Sequence, residues 1–127
     1  MKKLSEAKVA KWRKDGSLQR VYKIIRQPVS KSFQKKYFSR QFSEITNKMK
    51  SSDIIKLAEV IRDTKGMLIE DEKSITWKNL YINALTFMKY YISVIENIDQ
   101  DQAFLILMSK LSDKTLEQIK NEREKIK

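Results

Sequence analysis

The sequence contains no cysteine and no histidine among its 127 residues. Without cysteine, the chain cannot form a disulfide framework, a zinc–thiolate site or a thiol nucleophile. Without histidine, it lacks the usual general base of enzymes and the commonest metal ligand. It also has no P-loop, no glycine-rich phosphate loop and no nucleophile-elbow motif. The sequence therefore predicts neither an enzyme nor a bound cofactor.

Glycine and proline are also scarce, at two residues and one residue respectively, which argues against a turn-rich β fold. No apolar run approaches the roughly 18 residues that a transmembrane helix requires. The first residues are charged and lack the apolar segment of a signal peptide. We therefore expect a cytoplasmic protein that does not associate with a membrane.

The basic charge is confined to one half of the chain. The net charge is +11. Residues 1–50 contain 15 lysines and arginines and three acidic residues, a balance of +12, whereas residues 51–127 carry −1. A one-sided basic field is typical of proteins that bind a polyanion such as DNA. The alternative is that the lysines only keep a helical protein in solution.

Apolar residues recur at helical spacing along most of the chain, which predicts an all-α fold, a compact bundle of about five helices with no sheet. The first core helix is expected over residues 18–26. The second is expected to begin at Ser30 or Ser32 and to continue to about Lys50. Later in the chain, the spacing predicts a long central helix that ends near Asn97.

Helix ends are predicted from capping residues. Gly66 is expected to end the third core helix, because glycine readily adopts the left-handed conformation of a C-cap. The carboxylates of Glu70–Glu72 are expected at the start of the central helix, where the helix dipole favours negative charge. Asp99 is expected to cap the last core helix.

The composition divides the chain into three parts. Residues 17–112 are predicted to form the helical domain, and residues 113–127 a charged C-terminal helix or tail. Residues 1–16 are basic and are interpreted as an arm or linker, although Val9 and Trp12 also permit a short helix that Gly16 ends.

A basic cluster lies in the second predicted helix, with aromatic residues between its members. At i, i+4 spacing it would place its cations on a shared helix surface. Such a surface can neutralise a DNA backbone, while an aromatic side chain can stack or wedge between bases. The basic members are Lys31, Lys35, Lys36 and Arg40, and the aromatic residues are Phe33, Tyr37 and Phe38.

Several segments together resemble the C-terminal helical domain of the CarD/CdnL family of bacterial transcription regulators. The most specific is Leu57–Asp63 (LAEVIRD), which is similar to an AEVVRDL-type segment of the family. Supporting matches are Ser39-Arg40 after an aromatic residue, Met49, Ser52-Asp53, Leu18–Arg26 and Glu72-Lys73. The resemblance covers roughly residues 17–112.

The resemblance implies a function in transcription. Members of the family bind RNA polymerase and stabilise the promoter open complex, and their helical domain touches DNA at the upstream edge of the transcription bubble. A family tryptophan that wedges into the minor groove corresponds here to Phe38, and two family basic residues correspond to Arg40 and Lys73. The complete predicted DNA-binding set is Lys31, Lys35, Lys36, Phe38, Arg40 and Lys73.

Two departures from the family pattern affect these expectations. Phe38 keeps an apolar ring but lacks the indole N–H, and it also continues a helical stripe with Phe42, Ile45 and Met49, so it is either a wedge or a core residue. Phe42, Ile45 and Met49 are expected in the core.

The second departure concerns polymerase binding. The family's β-rich polymerase-binding module is not evident, so we expect polymerase contact through a module absent from this chain, with residues 1–16 as its linker.

These expectations describe a bacterial, nucleoid-associated DNA-binding domain. Two alternatives remain at the sequence level. One is a helical protein–protein interaction module whose basic half only confers solubility. The other is a non-specific nucleoid DNA binder with no polymerase role.

Overall fold

The computed structural model describes residues 5–111, and the predicted tail at 113–127 lies outside them. The described part is entirely helical, as predicted, but it contains seven helices instead of about five. In chain order these are α1 (Glu6–Asp15), α2 (Ser17–Ile25), α3 (Lys31–Gln34), α4 (Phe38–Lys50), α5 (Ile54–Glu70), α6 (Ile75–Glu96) and α7 (Gln100–Leu111). None of these helices is long and apolar enough to cross a membrane.

The core of the bundle lies between α5 and α6, with α2 packed on α5 and α7 on α6. The central helix α6 begins after Ser74, whose hydroxyl accepts a hydrogen bond from the Trp77 amide at 3.2 Å, and ends at Asn97 in the left-handed conformation. Asp99 caps α7 as expected, because its carboxylate accepts from the Gln102 amide at 2.8 Å. Fully buried apolar side chains include Val21, Ile25, Ile54, Val60, Ile61, Met88, Ile92 and Leu107.

Residues 6–15 form helix α1, which packs on the end of α6. Trp12 is buried and its ring lies 5.7 Å from the ring of Tyr91. The guanidinium of Arg13 donates to the carbonyl oxygens of Val94 and Ile95, at 2.8 and 2.7 Å. These carbonyls belong to the last turn of α6, where cations are favoured by the helix dipole. The domain boundary at residue 17 stays a prediction.

The prediction that Gly66 ends a helix is wrong, because α5 continues through Glu70. Gly66 is buried, and a Cβ at this position would lie 2.5 Å from the Cβ of Val29. Glycine is therefore required for the loop after α2 to approach the side of α5. Glu70–Glu72 do not begin the central helix either, since Glu70 is the last residue of α5 and Ser74 is the cap of α6.

The same loop is fixed to α5 by a buried carboxylate. Asp63 is 1% exposed, and its Oδ1 accepts from the backbone amide of Ser30 at 3.1 Å. Arg62 donates to both oxygens of this carboxylate, at 2.9 and 3.1 Å. A buried charge is tolerated only when it is paired and hydrogen-bonded. This carboxylate therefore holds the start of α3 against α5.

Candidate nucleic-acid interface

The predicted continuous helix from Ser30 or Ser32 to Lys50 is divided in two. Helix α3 ends at Gln34, and α4 begins at Phe38 after an extended Tyr37. The buried side chain of Gln41, on α4, donates to the carbonyl of Phe33 at 3.0 Å. This carbonyl also accepts from the Lys36 amide at 3.1 Å, so the Gln41 bond is a second one to the same oxygen, and Phe33 itself is 1% exposed. The chain therefore turns over a buried phenylalanine.

The break separates the basic residues that the sequence analysis placed on one helix. Lys31 begins α3, Lys35 is its C-cap, Lys36 lies in the turn and Arg40 lies in the first turn of α4. All four residues are exposed. Lys31 and Lys35 still lie one helical turn apart, because the Lys35 amide donates to the Lys31 carbonyl at 3.2 Å. Lys36 and Arg40 do not share a helix, so the expected surface along a single helix is wrong.

Phe38 lies at the surface, at the first residue of α4, and is 54% exposed. Its ring meets the ring of Trp77 nearly edge-on, with a centroid distance of 5.6 Å and an interplanar angle of 75°. Trp77 is buried and also contacts the ring of Phe33, at 6.0 Å. Trp77 and Phe33 thus form a rigid base beneath a ring that projects into solvent.

The expected core stripe along α4 is only partly correct. Ile45 is fully buried and Met49 is half-buried against the core. Phe42, in contrast, is 41% exposed and lies 6.2 Å from the ring of Phe38. The first turns of α4 therefore hold two aromatic rings at the surface, whereas Ile45 and Met49 in its later turns pack against the core. Tyr37, next to Phe38, is 84% exposed.

A cleft of about 440 Å³ lies beside this aromatic surface, between α4 and the start of α5. It brings together Lys36 and Arg40, which the sequence analysis had selected, with Lys48 and Lys56, which it had missed. Lys48 is two helical turns after Arg40, so its spacing could have indicated a shared face. Lys56 is on another helix and had no such signal. The lining residues are Lys36, Arg40, Ser43, Glu44, Asn47, Lys48 and Lys56.

Glu44 binds two of these lysines. Its Oε2 lies 2.8 Å from the Nζ of Lys36, and its Oε1 lies 3.4 Å from the Nζ of Lys48. Partial burial opposes ionisation of this carboxyl, but the hydrogen bond from Lys36 and the charge of Lys48 outweigh it, so the pKa of Glu44 is below its ordinary value. Lys48 also pairs with Glu59 at 3.4 Å.

The remaining predicted residues lie outside the cleft lining. Lys73 is exposed in the loop before α6, one turn before Trp77. The side chain of Gln34 donates to Glu70 at 2.6 Å, which links the end of α3 to the helix end that precedes this loop. Lys31 and Lys35 are exposed at the two ends of the short helix α3. Contact of any of these residues with DNA stays a prediction.

The interface can therefore offer cations for phosphates and an exposed apolar ring for bases. No group of three or more metal-ligating side chains occurs within residues 5–111.

A family model described as "CarD, C-terminal domain" matches residues 20–108, which is most of the chain. Neither the search of curated proteins nor the search of solved structures found a match.

Proposed function

The chain belongs to the family of CarD C-terminal domains, and from this we propose that it binds promoter DNA at the upstream edge of the transcription bubble and stabilises the RNA polymerase open complex. The family membership supports a role in transcription. The exposed aromatic and basic residues support the choice of DNA as the ligand. Contact with RNA polymerase is proposed to be made through the family's β-rich module, which is not evident in this sequence.

The exposure of Phe38 is the observation that carries this proposal. A phenylalanine that is 54% exposed has little role in folding, because much of its ring stays in water. Its edge contact with Trp77 nevertheless fixes its direction. An apolar side chain held in this way suits insertion at a base step that is already unstacked, such as the fork of a bubble. Phe38 is therefore the proposed wedge.

The basic residues are proposed to hold the phosphate backbone on either side of the wedge. Arg40 lies two residues after Phe38, and Lys36 two residues before it. Lys73 precedes the helix whose Trp77 supports the ring. Contacts of this type carry no base information, so we expect binding that depends on salt and on DNA shape more than on sequence.

The proposal is tested by comparing a forked DNA with a fully paired duplex of the same sequence. We expect tighter binding to the fork, and we expect Phe38→Ala to reduce this preference by about tenfold, the effect of losing one base–aromatic contact. Affinity for the duplex should change little. Phe42→Ala is the matched control, because it removes a similarly exposed ring one turn away.

The alternatives predict different results. Equal affinity of the wild-type chain for fork and duplex would indicate a non-specific nucleoid binder. A partner captured equally well at high salt and without nucleic acid would indicate a protein–protein module. Stabilisation of the open complex is tested separately, by measuring the lifetime of open promoter complexes after the full chain is added. We expect their lifetime to increase with wild type and to increase less with Phe38→Ala.

A further inference from the structure

The cleft beside the aromatic surface combines cations from separate parts of the chain with a single carboxylate. Among its described lining residues, four are lysines or arginines and one, Glu44, is acidic. Lys36 comes from the turn before α4, and Lys56 from the first turn of α5. The cleft therefore gathers positive charge that no single helix face provides.

The two oxygens of the Glu44 carboxylate are engaged by ammonium groups from different segments. Lys36 Nζ approaches one oxygen at 2.8 Å, and Lys48 Nζ approaches the other at 3.4 Å. A phosphodiester also offers two charged oxygens to neighbouring cations. The carboxylate thus satisfies the same donors that a backbone phosphate would satisfy.

We infer that this cleft is a binding site for a backbone phosphate of DNA, and that Glu44 occupies the phosphate position until the nucleic acid displaces it. The choice of DNA as the ligand rests on the proposed function. The site itself rests on the cleft and its ion pairs, and it adds Lys48 and Lys56 to the residues that contact the backbone.

Displacement of Glu44 is energetically accessible. The side chains of Lys36 and Glu44 are 39% and 27% exposed, so water still screens this ion pair and keeps it weak. A DNA phosphate that enters the cleft gains the two lysines and releases condensed counterions. Glu44 therefore lowers the affinity without blocking the site, because each binding event must break its contacts with Lys36 and Lys48.

Glu44→Gln tests the inference, with binding measured to forked DNA and to inorganic polyphosphate. We expect this variant to bind both probes about three- to tenfold more tightly, the range that one or two exposed ion pairs provide. Its affinity should also fall more steeply with salt, because more cations are available to phosphates. Glu96→Gln is the matched control, since Glu96 is an exposed acid at the end of α6, outside this cleft.

Lysine variants identify the ligands of the site. Adding Lys48→Gln or Lys56→Gln to Glu44→Gln should cancel the gain in affinity, whereas Lys11→Gln, which removes an exposed charge on α1, should not. Unchanged affinity of Glu44→Gln for both probes would overturn the inference. So would an equal gain in Glu96→Gln, which would show a general charge effect, or no binding of either probe by any variant.

The two proposals fail separately. If wild type binds fork and duplex equally but Glu44→Gln still binds polyphosphate more tightly than Glu96→Gln does, the phosphate site is supported and the fork-specific function is refuted. If Phe38→Ala loses the fork preference but Glu44→Gln has no effect, the proposed function is supported and the inference is overturned.

Discussion

Gly66→Ala is expected to destabilise the domain, although alanine is the better helix former. Inside a helix this replacement ordinarily stabilises by about 1 kcal/mol. Here the added Cβ would lie 2.5 Å from the Cβ of Val29 and 2.8 Å from its Cγ1. Overpacking of this kind costs about 1–3 kcal/mol. Helix propensity offsets about 1 kcal/mol of that cost, so we expect the free energy of unfolding to fall by up to about 2 kcal/mol.

The assay is urea unfolding followed by far-UV circular dichroism, in three backgrounds at residue 29. Val29→Ala retains the Cβ that causes the closest contact, so Gly66→Ala should remain destabilising there. Val29→Gly removes both close atoms and leaves the Cα at 3.4 Å. In that background, Gly66→Ala should stabilise by about 1 kcal/mol, as helix propensity alone predicts.

The result that refutes this reasoning is a stabilising Gly66→Ala in the native background. It would mean that the loop after α2 moves away from α5 without cost. The position of this loop also matters for the interface, because Val29 precedes Ser30, whose amide is bound by Asp63 at the start of α3. The helix that follows carries Phe33, which supports Trp77 beneath the exposed ring.

Three further predictions concern single side chains. Asp63→Ala should lower the free energy of unfolding by about 2–4 kcal/mol, because it leaves the Ser30 amide and the Arg62 guanidinium without their acceptor. Asp63→Asn should cost less, since it keeps one acceptor. Equal losses for the two variants in urea unfolding would contradict this. Arg13→Met should cost about 1 kcal/mol in the same assay through its lost bonds to α6, while the neighbouring Lys14→Met should have little effect. Burial and the charge of Glu96 raise the pKa of Tyr22 to about 12. The unfolded chain therefore releases this proton first, and the free energy of unfolding should fall as pH rises from about 10 to about 12. The free energy of unfolding of Tyr22→Phe should fall less over this range.

Local patterns predicted the parts of the fold whose causes lie close together in the chain. The end of α6 near Asn97 and the cap of α7 at Asp99 depend on residues one or two turns apart, and both were predicted correctly. Gly66 was misread because a glycine near a helix end resembles a C-cap. Its actual role depends on Val29, which lies far away in sequence.

The interface was predicted less completely for the same reason. The segment between Gln34 and Phe38 contains no glycine or proline to indicate a break, and the break is accommodated by a side-chain bond from Gln41 to Phe33. Phe38, Phe42 and Ile45 all lie on α4 at the spacing of one helix face, so spacing alone could not distinguish the two exposed rings from the buried isoleucine. The resemblance identified Phe38 and Arg40 as candidates, but the cleft joins residues of two helices, so Lys56 could be found only from the fold.

The aromatic base beneath Phe38 has a spectroscopic consequence. The chain contains two tryptophans, and one of them, Trp77, is buried directly against the ring of Phe38. In a Trp12→Phe background, Trp77 would be the sole indole emitter. Its intensity and emission maximum would then report on the environment of Phe38 without any attached dye. The domain therefore contains an intrinsic optical probe located at the base of its own candidate contact surface.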